Sequence, residues 1–193
     1  MDSTEGSAIF ANHLRSHQAV IAELEAMGEQ ISLIGNVWIS ALQSGKKILF
    51  LGNGGSAADA QHLAAELVVR YRNNRKALAG IALTTDSSVL TAHGNDFGFD
   101  TVFARQIEAL AVPGDVVVGI STSGTSKNVV AGLTAALDRG CITIAMTGQS
   151  GGLCNELADH CLKIPSNITA HIQECHILVG HVWCEMVEQD LTE

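Results

Sequence analysis

The 193-residue chain has only two prolines and no low-complexity tract, so nothing in it marks a flexible linker or a second unit. It also lacks an internal repeat, which excludes a solenoid or an array. Basic residues are scarce: 11 Lys and Arg stand against 20 Asp and Glu, a formal net charge of −9. Broad contact with nucleic acid phosphates or with anionic lipid requires clustered cations, so neither is expected as a partner, and any phosphate site must be local. No apolar run is long enough to span a bilayer. Residues 1–10 are polar and acidic, without the basic segment and following apolar run of a secretion signal. The five cysteines, Cys141, Cys154, Cys161, Cys175 and Cys184, form no C-x-x-C pair and are odd in number, which disfavours a disulfide framework and points to reduced thiols. A cytoplasmic location is the expectation.

What the chain does have is apolar: 47% of its residues are hydrophobic and only 16% charged, which leaves room for a subunit interface beside the core. Its length suits a single domain spanning residues 1–193. Residues 8–42 carry apolar side chains at helical spacing, with Gly28 or Gly35 as candidate breaks, so residues 1–44 are expected to form a helical segment packed on the sheet or on a neighbouring subunit. Short apolar runs over residues 47–51, 80–84, 115–120, 141–147 and 160–164 read as strands. Between and after them, residues 56–69, 86–110, 126–139, 152–158 and 169–189 read as helices, several with Ser or Asp where a cap belongs. This alternation predicts an α/β fold, a three-layer αβα sandwich around a five-stranded parallel sheet with right-handed crossovers.

In such a sheet, ligands bind beyond the carboxyl ends of the strands. After the first strand comes Gly52-Asn53-Gly54-Gly55-Ser56, where glycines let backbone N–H groups approach an anion at a helix N-terminus. The stretch is equally compatible with a plain turn, and it fits neither a Rossmann fingerprint nor a P-loop. The third strand ends in Ser121-Thr122-Ser123-Gly124-Thr125-Ser126, five hydroxyls in six residues. These suit a phosphate held without a fixed cation, or else a helix-capping cluster. His62 and Glu66 lie four apart on one helix face, and Gln173 and His181 eight apart on another, with His176 near that stripe. His, Glu and Gln can move protons near neutral pH or coordinate a divalent ion, although a solvated Glu or a satisfied core His is the plainer reading of each alone.

Taken in order, Gly52-Asn53-Gly54-Gly55-Ser56, then Asp59-Ala60-Gln61-His62 with Glu66, Arg70-Tyr71, Gly94-Asn95-Asp96-Phe97-Gly98-Phe99, Ser121-Thr122-Ser123-Gly124 and Ile172-Gln173-Glu174 resemble the successive signature blocks of the phosphoheptose isomerases of the sugar-isomerase (SIS) family. The resemblance implies a flavodoxin-like sheet and conversion of sedoheptulose 7-phosphate into D-glycero-D-manno-heptose 7-phosphate, in bacterial heptose biosynthesis for lipopolysaccharide or capsule. It implies a homotetramer with active sites at subunit interfaces. It assigns the phosphate to Ser121, Thr122, Ser123 and Ser126, and other substrate contacts to Asn53, Gly54, Gly55, Glu66, Asn95, Asp96 and Gln173. Proton transfer falls to Glu66 and His181, and zinc to His62, Glu66, Gln173 and His181. His171 stands where many members of the family carry Arg. The rival expectation is a non-catalytic SIS protein, either a sugar-phosphate-sensing regulator or the protein that associates with the replication initiator DnaA. That initiator-associating branch lacks the carboxylate and the last histidine present here as Glu66 and His181.

Overall fold

The computed structural model describes residues 3–191. Two helices open the chain, α1 (Ser3–Leu24) and α2 (Gly28–Gln43), separated by a 3-10 turn at Glu25–Met27. The break therefore falls at the turn preceding Gly28. Gly35 remains inside α2, where the absence of a side chain admits Met186; a Cβ there would lie 2.6 Å from its thioether. Strands and helices then alternate: β1 (Ile48–Gly52), α3 (Gly55–Val68), β2 (Gly80–Ala82), α4 (Ser87–Asp96), α5 (Val102–Leu110), β3 (Val116–Ser121), α6 (Lys127–Asp138), β4 (Ile142–Thr147), α7 (Gly152–Leu157), β5 (His160–Lys163) and α8 (Thr169–Leu191).

The five strands are parallel in the order β2-β1-β3-β4-β5. β1 and β3 are buried throughout, as the continuous apolar runs of a sheet covered on both faces require. Alternate residues serve opposite layers. Ile48, Phe50, Val116, Val118, Ile120, Ile144 and Met146 pack with residues of α2, α3 and α8. Leu49, Leu51, Val117 and Ala145 pack with residues of α5, α6 and α7. The α3 crossover leads from β1 to β2 along the first face, and α4 and α5 lead back to β3 along the second. The sheet therefore changes winding direction between β1 and β3, which is where an open α/β sheet forms its ligand crevice. Gly52 stands opposite Ile120, so the two loops that follow leave the sheet side by side.

The α2 and α8 helices join through Trp183, whose indole Nε1 donates to the Ile31 carbonyl at 2.8 Å; its ring centroid lies 5.2 Å from that of Trp38, which in turn meets Phe50 at 5.3 Å. All three rings are fully buried, each contributing about 2–3 kcal/mol by removal of apolar surface from water. At the amino ends of β1 and β3, away from the crevice, the Lys47 ammonium meets the buried Asp115 carboxylate at 2.6 Å, and the backbone N–H groups of Lys47 and Val112 donate to the same carboxylate.

One expected element is divided. Residues 86–110 do not form one helix: α4, capped where the Asp86 carboxylate accepts from Val89 N–H at 3.0 Å, ends at Asp96. Gly98 then takes φ of 85°, a left-handed conformation that side-chain-bearing residues avoid, and a 3-10 turn over Phe99–Thr101 leads into α5. The second strand is also shorter than residues 80–84. Leu83 N–H still donates to the Phe50 carbonyl at 2.9 Å, after which the chain turns at Thr84.

Candidate active site

The crevice is closed at its base by two asparagines. Asn53 Nδ2 donates to Asn128 Oδ1 and Asn128 Nδ2 donates to Asn53 Oδ1, each at 2.8 Å, so the β1 loop and the first turn of α6 are stapled by a reciprocal amide pair. Asn128 sits at the start of an otherwise apolar helix and had no signal in the sequence. Gly54, with φ of 56°, turns the chain into α3. Gly55 provides a close approach instead: a Cβ there would fall 2.7–2.9 Å from the amide of Gln173, which packs directly on the helix start.

Beside this loop, the β3 hydroxyls bond to one another and not to the end of α6. Ser121 Oγ lies 2.9 Å from Ser126 Oγ and 3.5 Å from Ser123 Oγ, and Ser123 Oγ accepts from both Thr125 N–H and Thr125 Oγ1. Ser126 is the residue that precedes α6, yet its side chain makes no capping bond. The capping explanation for the cluster therefore fails. Thr122 and Ser123 open onto a concavity shared with Ser150, Asn167, Thr169 and Ile172, which brings the N-terminal end of α8 to the same edge.

The α3 and α8 helices run parallel across one face. Gly55 meets Gln173, Leu63 packs on Gly180, and His62 meets His181, so the pairing keeps step for two turns. His62 Nε2 and His181 Nε2 are 2.9 Å apart, and Glu66 Oε1 is 3.4 Å from His62 Nε2. Donor atoms of all three residues lie within 4.8 Å of one another, a spacing that a single metal ion can draw together. Gln173 stands eight residues before His181, about 12 Å along the helix axis, at the loop end of the same groove. His176 is elsewhere: it is fully buried, its Nε2 is 3.1 Å from the Thr147 carbonyl, and burial pushes its pKa down to about 4. Asn95 and Asp96 are exposed at the end of α4, where Asn95 Nδ2 donates to Asp96 Oδ1 at 2.8 Å.

Electrostatics separate the titrating groups. Burial lowers the pKa of His181, the neighbouring His62 lowers it further, and Glu66 works in the opposite direction. Asp59, one turn before His62, is pushed up to about 6 by burial against the lowering effect of His62, and its buried Oδ2 has no hydrogen-bond partner. Tyr71 stacks on His181 with ring centroids 5.6 Å apart. Tyr71 is held in turn by Glu188, whose buried carboxylate accepts from the backbone N–H groups of Tyr71, Arg72 and Asn73. Arg75 closes the end of α3 by donating to the carbonyls of Glu66 and Leu67 at 2.6 and 2.9 Å. Glu188 and Arg75 escaped sequence reading because their partners lie on backbone groups of other segments.

His171 is buried on α8, pointing toward α1 while Gln173 faces α3; its Nε2 is 3.0 Å from Ser16 Oγ and its Nδ1 is 3.1 Å from Glu174 Oε2.

Residues 11–148 match the family model of the SIS domain. The phosphoheptose isomerase of Aquifex aeolicus (strain VF5) is 52% identical over 178 residues, covering 92% of this chain and 93% of that protein. Among solved structures, the phosphoheptose isomerase from Neisseria gonorrhoeae superimposes with a TM-score of 0.89 at 43% identity, over 95% of this chain and 98% of that one. The phosphoheptose isomerase from Francisella tularensis gives 0.91 at 35% identity, over 98% and 100%.

Proposed function

We infer that this chain, which belongs to the phosphoheptose isomerases of the SIS-domain family, converts sedoheptulose 7-phosphate into D-glycero-D-manno-heptose 7-phosphate. The observation that carries the mechanism is the meeting of Glu66 and His181 on parallel helices whose N-terminal ends lead back to the hydroxyl loop. The substrate's phosphate and its reacting carbons lie at opposite ends of a seven-carbon chain. His62 stands seven residues beyond Gly55, about 10 Å along α3, which matches that separation in kind.

On this reading Ser121, Thr122, Ser123 and Ser126 hold the phosphate, and Asn53, Gly54, Gly55, Asn95, Asp96 and Gln173 contact the sugar. Glu66 takes a proton from C1 of the ketose while His181 gives one to the oxygen on C2, forming the enediol. Return of a proton to C2 and loss of the O1 proton then yield the aldose. The lowered pKa of His181 keeps its ring neutral near pH 7, so that an imidazole N–H serves the oxygen. His62, Glu66 and His181 would also hold zinc; Gln173, expected as a fourth ligand, packs on Gly55 about two turns away and is not brought to them within the chain. The facing imidazole nitrogens beside a carboxylate are a fitting donor set, and the ion would polarise a substrate oxygen. The chain works as one domain, in a cytoplasmic homotetramer with sites at subunit interfaces. The exposed Ile9, Phe10 and Leu14 of α1, and Phe97 and Phe99 after α4, are surfaces suited to that assembly.

Purified protein incubated with sedoheptulose 7-phosphate, with and without added zinc, tests the enzyme reading. Anomeric proton signals of the heptose should appear in the NMR spectrum. Their absence under both conditions would return the chain to the non-catalytic SIS proteins, a reading that the presence of both Glu66 and His181 opposes.

A further inference from the structure

A second group of potential ligands lies outside the isomerase site. α1 presents His13 and His17 one turn apart, and α8 presents His171 and Glu174 one turn apart, where the two helices touch. His13 Nε2 is 2.9 Å from Glu174 Oε1; His17 Nδ1 and His171 Nδ1 are 3.0 and 3.1 Å from Glu174 Oε2. The donor atoms of His13, His171 and Glu174 all lie within 4.8 Å of one another. The three rings gather around the carboxylate, with His13 and His17 centroids 4.5 and 5.3 Å from that of His171.

We propose that His13, His17, His171 and Glu174 form a second divalent transition-metal site, of zinc type, that clamps α1 to α8. Three imidazoles and one carboxylate are a donor set of the kind zinc takes, and bonds of about 2.0–2.1 Å would set the donor atoms roughly 3.3 Å apart, close to the 2.9–3.1 Å that separates each histidine nitrogen from Glu174; His17 would close in as the fourth ligand on the three that already lie within 4.8 Å of one another. His17 Nδ1 is buried and near the carboxylate, but out of line for a hydrogen bond, so hydrogen bonding does not account for its position. The other nitrogen of His171 faces Ser16 Oγ, the outer partner that orients a ligating ring and frees Nδ1 for a metal. The clamp has a purpose in the fold: α1 buries only Val20 and Leu24, both near its end, so its preceding turns depend on polar contacts for attachment.

The site shares no residue with the isomerase centre, and its success or failure is independent of that reading. The test uses the full chain carrying His62→Ala and His181→Ala, stripped of metal by chelation and titrated with Zn²⁺ by calorimetry and with Co²⁺ by visible absorption. One ion per chain should bind, and adding His13→Ala and His17→Ala should weaken binding at least a hundredfold. No uptake by the first variant, or unchanged uptake after loss of His13 and His17, overturns the proposal. Should either variant misfold by circular dichroism, crystals of the unaltered chain soaked in zinc decide the matter. Anomalous density between His13, His171 and Glu174 supports the site, and its absence there removes it.

Discussion

Glu66 divides its duties between backbone and side chain. Its carbonyl receives the Arg75 guanidinium at 2.6 Å and closes α3, while its carboxylate faces His62. Glu66→Gln therefore removes the charge without disturbing the helix end. Turnover should fall by about 10²–10⁴, the usual worth of a positioned general base, while the circular dichroism spectrum and assembly stay as in the parent chain. A rate within tenfold of the parent would remove Glu66 from its role. Metal content, measured alongside, should fall too if Glu66 is a ligand. Glu66, His62 and His181 could be picked out in the sequence because helical spacing pairs the first two and the signature blocks include all but the last. Asn128, Arg75 and Glu188 could not, because each acquires its meaning from a partner on another segment that no local pattern announces.

The fit between α3 and α8 depends on Gly55, and Gly55→Ala separates stability from function. A methyl group there would displace the flexible Gln173 amide, while alanine within a helix is favoured over glycine by roughly 0.5–1 kcal/mol. Thermal unfolding should hold or rise, and the substrate concentration for half-maximal rate should increase; an unchanged value would take Gln173 out of the substrate site. A second test concerns the seam between β4 and α8. His176 has a folded pKa of about 4 against an ordinary value of 6.5, so the unfolded chain takes up a proton that the folded chain refuses. Its stabilising contribution is complete above pH 6.5 and is lost as pH falls toward 4, on the order of 3 kcal/mol in all. His176→Gln retains a donor for the Thr147 carbonyl and should show a shallower loss of stability between pH 7 and 5 in denaturant titrations. An equal slope would refute the assignment. The strands were readable to within a residue or two because buried parallel strands are continuous apolar runs. The interruption after Asp96 was not, since it is made by backbone conformation: Phe97 leaves the helical region, with φ of −126°, and Gly98 follows with φ of 85°.

The proposed homotetramer would be built on apolar surfaces that the chain leaves open. Ile9, Phe10 and Leu14 are exposed on α1, with Phe10 at 67%. Phe10→Asp should shift the oligomer toward smaller species in analytical ultracentrifugation, and activity should decline with it if the sites need a neighbouring subunit. An oligomer unaffected by this change would move the proposed interface off α1. The strand order 2-1-3-4-5 is likewise a property of the assembled sheet. Alternating strands and helices imply parallel pairing and right-handed crossovers, but contain nothing that says β3 returns to the side of β1. That came only from the resemblance, and with it the place of the crevice.

The hydroxyl cluster after β3 has a further consequence for the protein in its cell. Ser121, Ser123 and Ser126 bond to one another, the N-terminal ends of α3, α6 and α8 lie at the same edge of the sheet, and no lysine or arginine among the described residues hydrogen-bonds to these hydroxyls. Such a cradle recognises a tetrahedral oxyanion by donors and dipoles, with little regard to what the anion is attached to. On the proposed assignment of the sugar's phosphate to these hydroxyls, orthophosphate should act as a competitive inhibitor, and flux would then follow the cell's phosphate supply as well as its heptulose.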